Sequence, residues 1–258
     1  MIASVGIYSS YATVTYDTDA QAFFTAAGIT DSGQKTAVNT LVLAAKANGW
    51  WTKCATIYPF VGGDATKHSY NLKNTAQYQI SFTGSWVHSS TGALADGSTT
   101  FADTGLVPLS VLGQFSTHLS SYTRNNTDVG DDLGSIGSGF FFMANRATGS
   151  GLYLTNDANF AVIPSVASSV GYFVGTRTAN NSAAFYRNGS SLATETGTET
   201  GALSNASIYI GAINNGGPSD QTTREYAFVT IGDGLSGTDV SNMYTDIQAF
   251  QTSLSRQV

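Results

Sequence analysis

From Tyr70 onward, short β-prone runs recur at intervals of roughly ten residues, each bounded by Gly, Asn, Asp or Ser turns. That rhythm limits the fold more than any other feature of the chain. The runs are Tyr78–Phe82, Trp86–His88, Phe115–Tyr122, Gly139–Asn145, Leu152–Thr155, Tyr172–Thr176, Ala183–Arg187, Leu192–Thr194, Ile208–Ile210 and Tyr226–Ile231. No helical pattern long enough for a crossover separates neighbouring runs. A parallel βαβ sheet is therefore disfavoured and a two-sheet sandwich is expected. The runs share no fixed-period repeat, which sets aside propellers and solenoids.

One turn can be placed within this series. Asn188-Gly189 suits a two-residue type I′ hairpin, whose central positions both need positive φ. Counting outward pairs Arg187 with Ser190, Tyr186 with Ser191 and Phe185 with Leu192, so Phe185 and Leu192 are expected to share an apolar face. Ile208 and Ile210, alternating with Tyr209, are expected to add a third strand to the same half-buried antiparallel sheet, with the rest of the chain layered on it.

The start and end of the chain carry a different periodicity. Ala20, Phe23, Phe24 and Ala27 fall on one helical stripe after a Thr18/Gln21 capping pattern, and Gly28 stops the run. Val38, Leu41, Val42 and Ala45 repeat the spacing in a second helix beginning near Thr30-Asp31, with Gly49 just past its end. These apolar stripes need a partner, so residues 17–69 are expected to form a helical preface docked on a sandwich spanning 70–258. Residues 1–16 are β-prone and are expected to form an edge strand or an arm that orders on a partner. A capped closing helix starts at Ser236, with Val240, Met243, Tyr244, Ile247 and Leu254 on one stripe. The strand Tyr226–Ile231 that leads to it is apolar on both sides, so both its faces are expected to be covered.

Charge narrows the function classes. Only 11% of residues are charged, with 17 acids against 11 bases and a net charge of −6. A neutral-polar surface of this kind leans towards exposure outside a cell or on a particle. It disfavours a nucleic-acid or anionic-membrane surface, since no basic run is present. No apolar stretch approaches the ~18 residues of a membrane span, and the opening residues lack the pattern of a signal peptide. The single cysteine, Cys54, excludes an intramolecular disulfide framework and reads as a buried inert thiol.

The segments YRNGSSLAT, SIYIGAINNGG and AFVTIGDGLSGTDVSNMY resemble the closing half of a concanavalin A-like, laminin-G-type jelly roll over about Gly171–Tyr244. The opening segments QAFFTAAGIT, QKTAVNTLVLAAKANGWWTKCATIYPFVGG and SWVHSSTGALADGSTTFADTGLVP are similar to tailed-bacteriophage virion proteins in which a helical preface leads into a lectin-like jelly roll. The two resemblances imply a mainly β, concanavalin A-like jelly-roll β-sandwich with an N-terminal helical preface and a C-terminal helix. They also imply a non-enzymatic virion component: a tail or head fibre, a decoration protein or a receptor-contacting part. On that reading the chain sits on the particle surface beside other virion subunits, as a homo-oligomer (a trimer, as fibres often are), and the N-terminal arm anchors it to a neighbour. The alternative is a lectin-like module for host surface glycans, and a third reading is a glycan-degrading enzyme.

Sugar recognition calls for aromatic faces beside amides and charged groups on rim loops. Tyr122, Arg124, Asn125, Asn126, Arg146, Tyr153 and Asn156 carry that chemistry. Laminin-G-like domains often hold one calcium ion at the rim, and Asp128, Asp131 and Asp132 offer clustered oxygen ligands in a Gly-containing loop. Hydrolysis needs two carboxyl groups flanking the scissile bond. The three glutamates do not suggest such a pair: Glu195 and Glu199 read as solvated loop and Glu225 as part of an exposed ion pair with Arg224. His68, His88 and His118 show no metal-ligand spacing. GSIGSG at 134–139 lacks the Lys-Ser/Thr ending and following helix of a phosphate loop. No catalytic residue is assigned.

Overall fold

The helical periodicity is realised as expected, with the caps refined. In the computed structural model, which describes residues 15–157 and 161–258, α1 (Thr18–Ala27) is capped one residue earlier than expected, by Asp17, whose carboxylate accepts from Asp19 N. Asp31 caps α2 (Ser32–Ala47), and Gly49 follows it in the left-handed region. The arm expected over residues 1–16 lies outside the described residues except for its last two.

The remaining elements, in chain order, begin with β1 (Cys54–Tyr58), α3 (Ala65–His68), β2 (Ser81–Thr83), β3 (Val87–Ser89), β4 (Gly92–Leu94), β5 (Phe101–Asp103) and α4 (Pro108–Val111). They continue with β6 (Thr117–Thr123), β7 (Leu133–Ile136), β8 (Phe140–Ala147), β9 (Ser150–Asn156), β10 (Gly171–Ala179), β11 (Ser182–Arg187) and β12 (Ser190–Glu195). The chain closes with β13 (Tyr209–Ile210), β14 (Ile213–Asn214), β15 (Pro218–Ser219), β16 (Glu225–Gly232) and α5 (Gly237–Ser253).

Two sheets result. Sheet A runs β12-β11-β10-β6-β16-β4-β3, with β1 also on β16. Sheet B runs β15-β14-β7-β13-β5-β2, extended by β8 on β7 and β9 on β8. Side-chain alternation then builds two apolar layers from one sheet. Leu119, Phe173, Phe185, Val229 and Ile231 point between the sheets with Leu133, Phe141 and Tyr153. Tyr122, Tyr172, Val174 and Phe228 point to the other side, against Phe23 and Phe24 of α1, Leu41 of α2 and Met243, Ile247 and Phe250 of α5. Strand β16 is thus covered on both faces, which explains its unbroken apolar run. The molecule is a jelly-roll-like β-sandwich with helices packed on sheet A and a helix at its C-terminal end. No helix among the described residues is long and apolar enough to cross a membrane.

Several expectations are corrected. The Asn188-Gly189 turn forms, with φ of 49° and 77°, but its hairpin is the margin of sheet A, and the centre is β10-β6-β16. Register holds for Arg187↔Ser190 and Tyr186↔Ser191, then slips so that Phe185 faces Ala193. This bulge turns Leu192 outward, 41% exposed, while Phe185 stays in the core. Tyr209–Ile210 pairs in sheet B and not beside the hairpin. The preface also contributes strand β1 to sheet A, through Ile57↔Thr230 and Tyr58↔Val229, so the 69/70 boundary does not divide helices from sandwich. Cys54 is buried and free, and burial pushes its thiol up to about 12.

Candidate functional site

The residues singled out for sugar contact are mostly consumed by internal bonds. Tyr122 and Tyr153 are fully buried and offer no ring face to a ligand. Tyr122 Oη donates to Gln248 Oε1 under α5, and Tyr153 Oη bonds Thr117 between the sheets. Their alternation places both rings inward. Asn156 is buried, its amide donating to the Gln114 and Gly201 carbonyls. Arg124 pairs with Glu225 at 3.1 Å, so Glu225 takes that partner and not the adjacent Arg224. Asn125 bridges Thr223 O and Glu225 N, and Asn126 Oδ1 accepts from Ser169 N. Arg146 pairs with Asp128 at 2.9 Å. Loop 124–132 is therefore a strut fastened to the start of β16.

The three aspartates offered for calcium diverge. Asp128 faces Arg146. Asp132 lies wholly inside, 3.0 Å from Arg224 Nη1, accepting also from Tyr226 Oη and Asn145 N. Burial raises the Asp132 pKa, opposed by Arg224 and these donors. Asp131 has neither partner. Among the described residues, no group of three His, Cys, Asp or Glu side chains could hold a metal ion.

Asp131 instead gives a pH prediction. Burial, and then the neighbouring Asp220 and Asp132 charges, push its carboxyl up to about 7. A carboxyl raised above its unfolded value penalises the folded state at high pH, and the penalty is relieved as pH falls from about 7 towards 4. Asp131→Asn is expected to stabilise the protein by about 1–3 kcal/mol at pH 8 and to have almost no effect near pH 4. Urea unfolding at the two pH values checks this, and equal effects at both would refute it.

The fold brings together groups that are distant in sequence. His68 Nδ1 and His88 Nδ1 lie 2.9 Å apart. Because His68 Nε2 accepts from Gly63 N, His68 Nδ1 carries the proton and donates to His88. Burial, followed by His88, pushes His68 down to about 3, which keeps it neutral. Glu199, expected to be solvated, is fully covered. Burial and then a hydrogen bond with Asp157 raise its pKa, and Arg177 Nη2 stands 3.9 Å away.

A different surface has the geometry of a binding site: the outer face of sheet B. Over β8, β9 and β14 this face is covered: Phe142, Leu154 and Ile213 are buried in a small cluster with Ile136, Phe140 and Leu152, whereas Ser81 and Thr83 on β2 are exposed. Sheet A's outer face, in contrast, lies under three helices. Directly opposed residues share a face of a sheet. Ser81↔Asp103, Thr83↔Phe101 and Tyr209↔Asp103 therefore set Ser81, Thr83, Phe101, Asp103 and Tyr209 on one surface. The Phe101 and Tyr209 rings stack there, centroids 4.7 Å apart and planes 27° from parallel. Burial, and then Asp103, raise the Tyr209 pKa, so its hydroxyl is a donor at neutral pH. Gly134 follows in the same row, paired with Tyr209. Any Cβ there would lie 2.1 Å from Phe142 Cβ, so the close approach of β7 and β8 requires glycine. Stacked rings beside a carboxylate and two hydroxyls suit a ligand with C–H faces and hydroxyl donors. Strands β2, β5 and β13 hold a single carboxylate, whereas glycoside hydrolysis uses two.

No protein-family model and no curated protein matches the sequence. Solved structures share the fold. The receptor-binding domain of botulinum neurotoxin C/D mosaic serotype superposes with a TM-score of 0.55 at 12% identity, over 76% of this chain and 51% of that one. The binding domain of botulinum neurotoxin serotype C1 gives 0.51 at 11% identity, over 76% and 52%. Domain 4 of AbnA, an extracellular arabinanase from Geobacillus stearothermophilus solved with arabinotriose, gives 0.44 at 15%, over 74% and 98%. This chain spans about half the length of the neurotoxin domains. At such identities the likeness to the neurotoxin domains shows the β-sandwich fold.

Proposed function

We propose that the chain is a non-enzymatic recognition module that binds a surface glycan on the outer face of sheet B. The observation that carries this reading is the Phe101–Tyr209 stack beside Asp103, on the side of sheet B opposite the inter-sheet core. The rings would lie against the C–H face of a sugar, while Asp103 accepts from its hydroxyls and Ser81 and Thr83 complete the polar rim. Receptor-binding domains among proteins of the same fold support a recognition role. The resemblance to tailed-phage virion proteins supplies the setting: display on a particle, in an oligomer, beside other virion subunits.

A glycan array followed by titration tests the site. Phe101→Ala or Tyr209→Ala is expected to weaken glycan binding by about tenfold, the ~1.4 kcal/mol of one aromatic contact, with an unchanged melting temperature. Asn126→Ala, on the strut, is expected to leave affinity unchanged. Binding that survives both aromatic substitutions, or no binding to any arrayed glycan, would overturn the assignment.

A further inference from the structure

The polar groups around the Phe101–Tyr209 stack carry charge of one sign. Asp103 Oδ1 accepts from Gly105 N at 2.8 Å. Its other oxygen and the hydroxyls of Ser81, Thr83 and Tyr209 have no partner among the described residues. Ser81 and Thr83 are exposed, and Phe101, Asp103 and Tyr209 are half-buried, so these groups stand at the surface. A second carboxylate precedes the stack. Asp96, at the turn into β5, accepts from the N–H groups of Ser98, Thr99 and Thr100. The Thr99 hydroxyl, and then these N–H groups, hold its carboxyl below the usual carboxylate range, so it stays ionised.

Among the described residues, no Lys or Arg side chain is paired with Asp96 or Asp103. Seven of the eleven Lys and Arg side chains are held by other carboxylates. Arg187 and Arg256 donate to backbone carbonyls, and Lys35 and Lys73 lie over the Phe24 and Trp51 rings. None of these partners belongs to β2, β5 or β13. The cations of the chain are thus spent on fastening loops and helices, and the stack is left with acceptors and hydroxyls.

We propose that this surface selects uncharged sugars and rejects glycans whose contacted residue carries a carboxylate, sulfate or phosphate. The inference rests on the glycan reading of sheet B and names the class of sugar it admits. An uncharged sugar gives hydroxyl donors to the Asp103 carboxylate and C–H groups to the two rings, so every contact is favourable. An anionic sugar brings a second negative charge up to Asp103, and like charges placed together across an interface lose affinity. Recognition of an anionic group draws on an Arg fork or a Lys ammonium, and each of those is engaged elsewhere. The net charge of −6 adds repulsion at longer range.

The test titrates the full chain with matched glucose- and galactose-based oligosaccharides, each in a neutral form and in a form bearing a uronic or sialic acid. The neutral forms are expected to bind at least about tenfold more tightly at low salt. The gap should shrink at high salt, where the repulsion is screened. Asp103→Asn keeps an acceptor for a sugar hydroxyl and removes the charge, and is expected to narrow the gap to about threefold or less. Ser81→Lys, at an exposed position opposite Asp103, is expected to raise the affinity for the acidic forms by about tenfold or more, so the result does not depend on a single variant. Acidic forms that bind as tightly as neutral ones, with both lost in Tyr209→Ala, would overturn the selectivity and leave the glycan reading standing. Binding of neither form in either series would overturn the glycan reading and this inference together.

Discussion

Replacing Arg256 with alanine is expected to cost about 3–5 kcal/mol of folding stability, read as a lower urea midpoint at unchanged slope. The side chain is 1% exposed. Its guanidinium donates to Pro59 O at 2.6 Å, Phe60 O at 2.8 Å, Ala227 O at 3.0 Å and Gln251 Oε1 at 2.5 Å. The plane also lies over the Phe250 ring, 5.2 Å from its centroid. No carboxylate forms an ion pair with it among the described residues, so burial, and then Arg124, push its pKa down to about 9. Alanine would leave the Pro59 and Phe60 carbonyls and the Gln251 amide oxygen buried without the donors they have now, each costing about 1–3 kcal/mol unless water enters, and Ala227 O with only the 3.4 Å bond from Gln251 Nε2. Lysine is expected to recover little, because an ammonium cannot span acceptors set for a planar fork. A loss below about 1 kcal/mol would show that Arg256 is not the clasp joining the segment after β1, strand β16 and α5.

The second large effect is expected at the Asp132–Arg224 pair, where both side chains are 0% exposed. Asp132→Ala alone should cost about 3–5 kcal/mol, because it leaves a guanidinium buried without its counter-charge. Arg224 also donates to the Arg146, Thr127 and Gly130 carbonyls, so Arg224→Met alone should cost a similar amount. The double substitution should cost clearly less than the sum, since removing both charges removes the desolvation penalty as well. Additive losses in a double-mutant cycle would show that the pair is not coupled. A refolded double variant that keeps glycan binding would separate this strut from the sheet B face.

Glu199 and the Tyr122–Asn126 run show where sequence reasoning about sites fails. A glutamate between Gly and Thr residues has the composition of a solvated loop, and only the approach of Asp157 and Arg177 encloses it. An aromatic beside Arg and Asn has the composition of a sugar rim. Yet Tyr122 lies on the inner side of β6's alternation, against α5, and the polar residues after it are used to tie loops. The stack on sheet B left a partial trace in the sequence. Tyr209 between Ile208 and Ile210 must point away from the core if both isoleucines point into it. Its partner Phe101 is more than a hundred positions earlier, and no local pattern links them.

What the sequence determined by itself is local. The period of 3.6 with Asp and Ser caps set α1, α2 and α5, the period of 2 between turn residues set the strands, and Asn188-Gly189 set one hairpin. Backbone sterics, capping and side-chain alternation act over a few residues, so their signature is written in a few residues. The tertiary structure decided which strands became neighbours, sending Tyr209–Ile210 to sheet B and bringing β1 from the helical preface onto β16. It also decided which side of sheet A the helices cover, which side of sheet B carries the Phe101–Tyr209 stack, and which polar groups are enclosed. Those outcomes depend on the free energy of burying apolar surfaces from distant parts of the chain against one another. Burial is non-directional and specifies no partner in advance, so the candidate site became visible only when β2, β5 and β13 lay side by side.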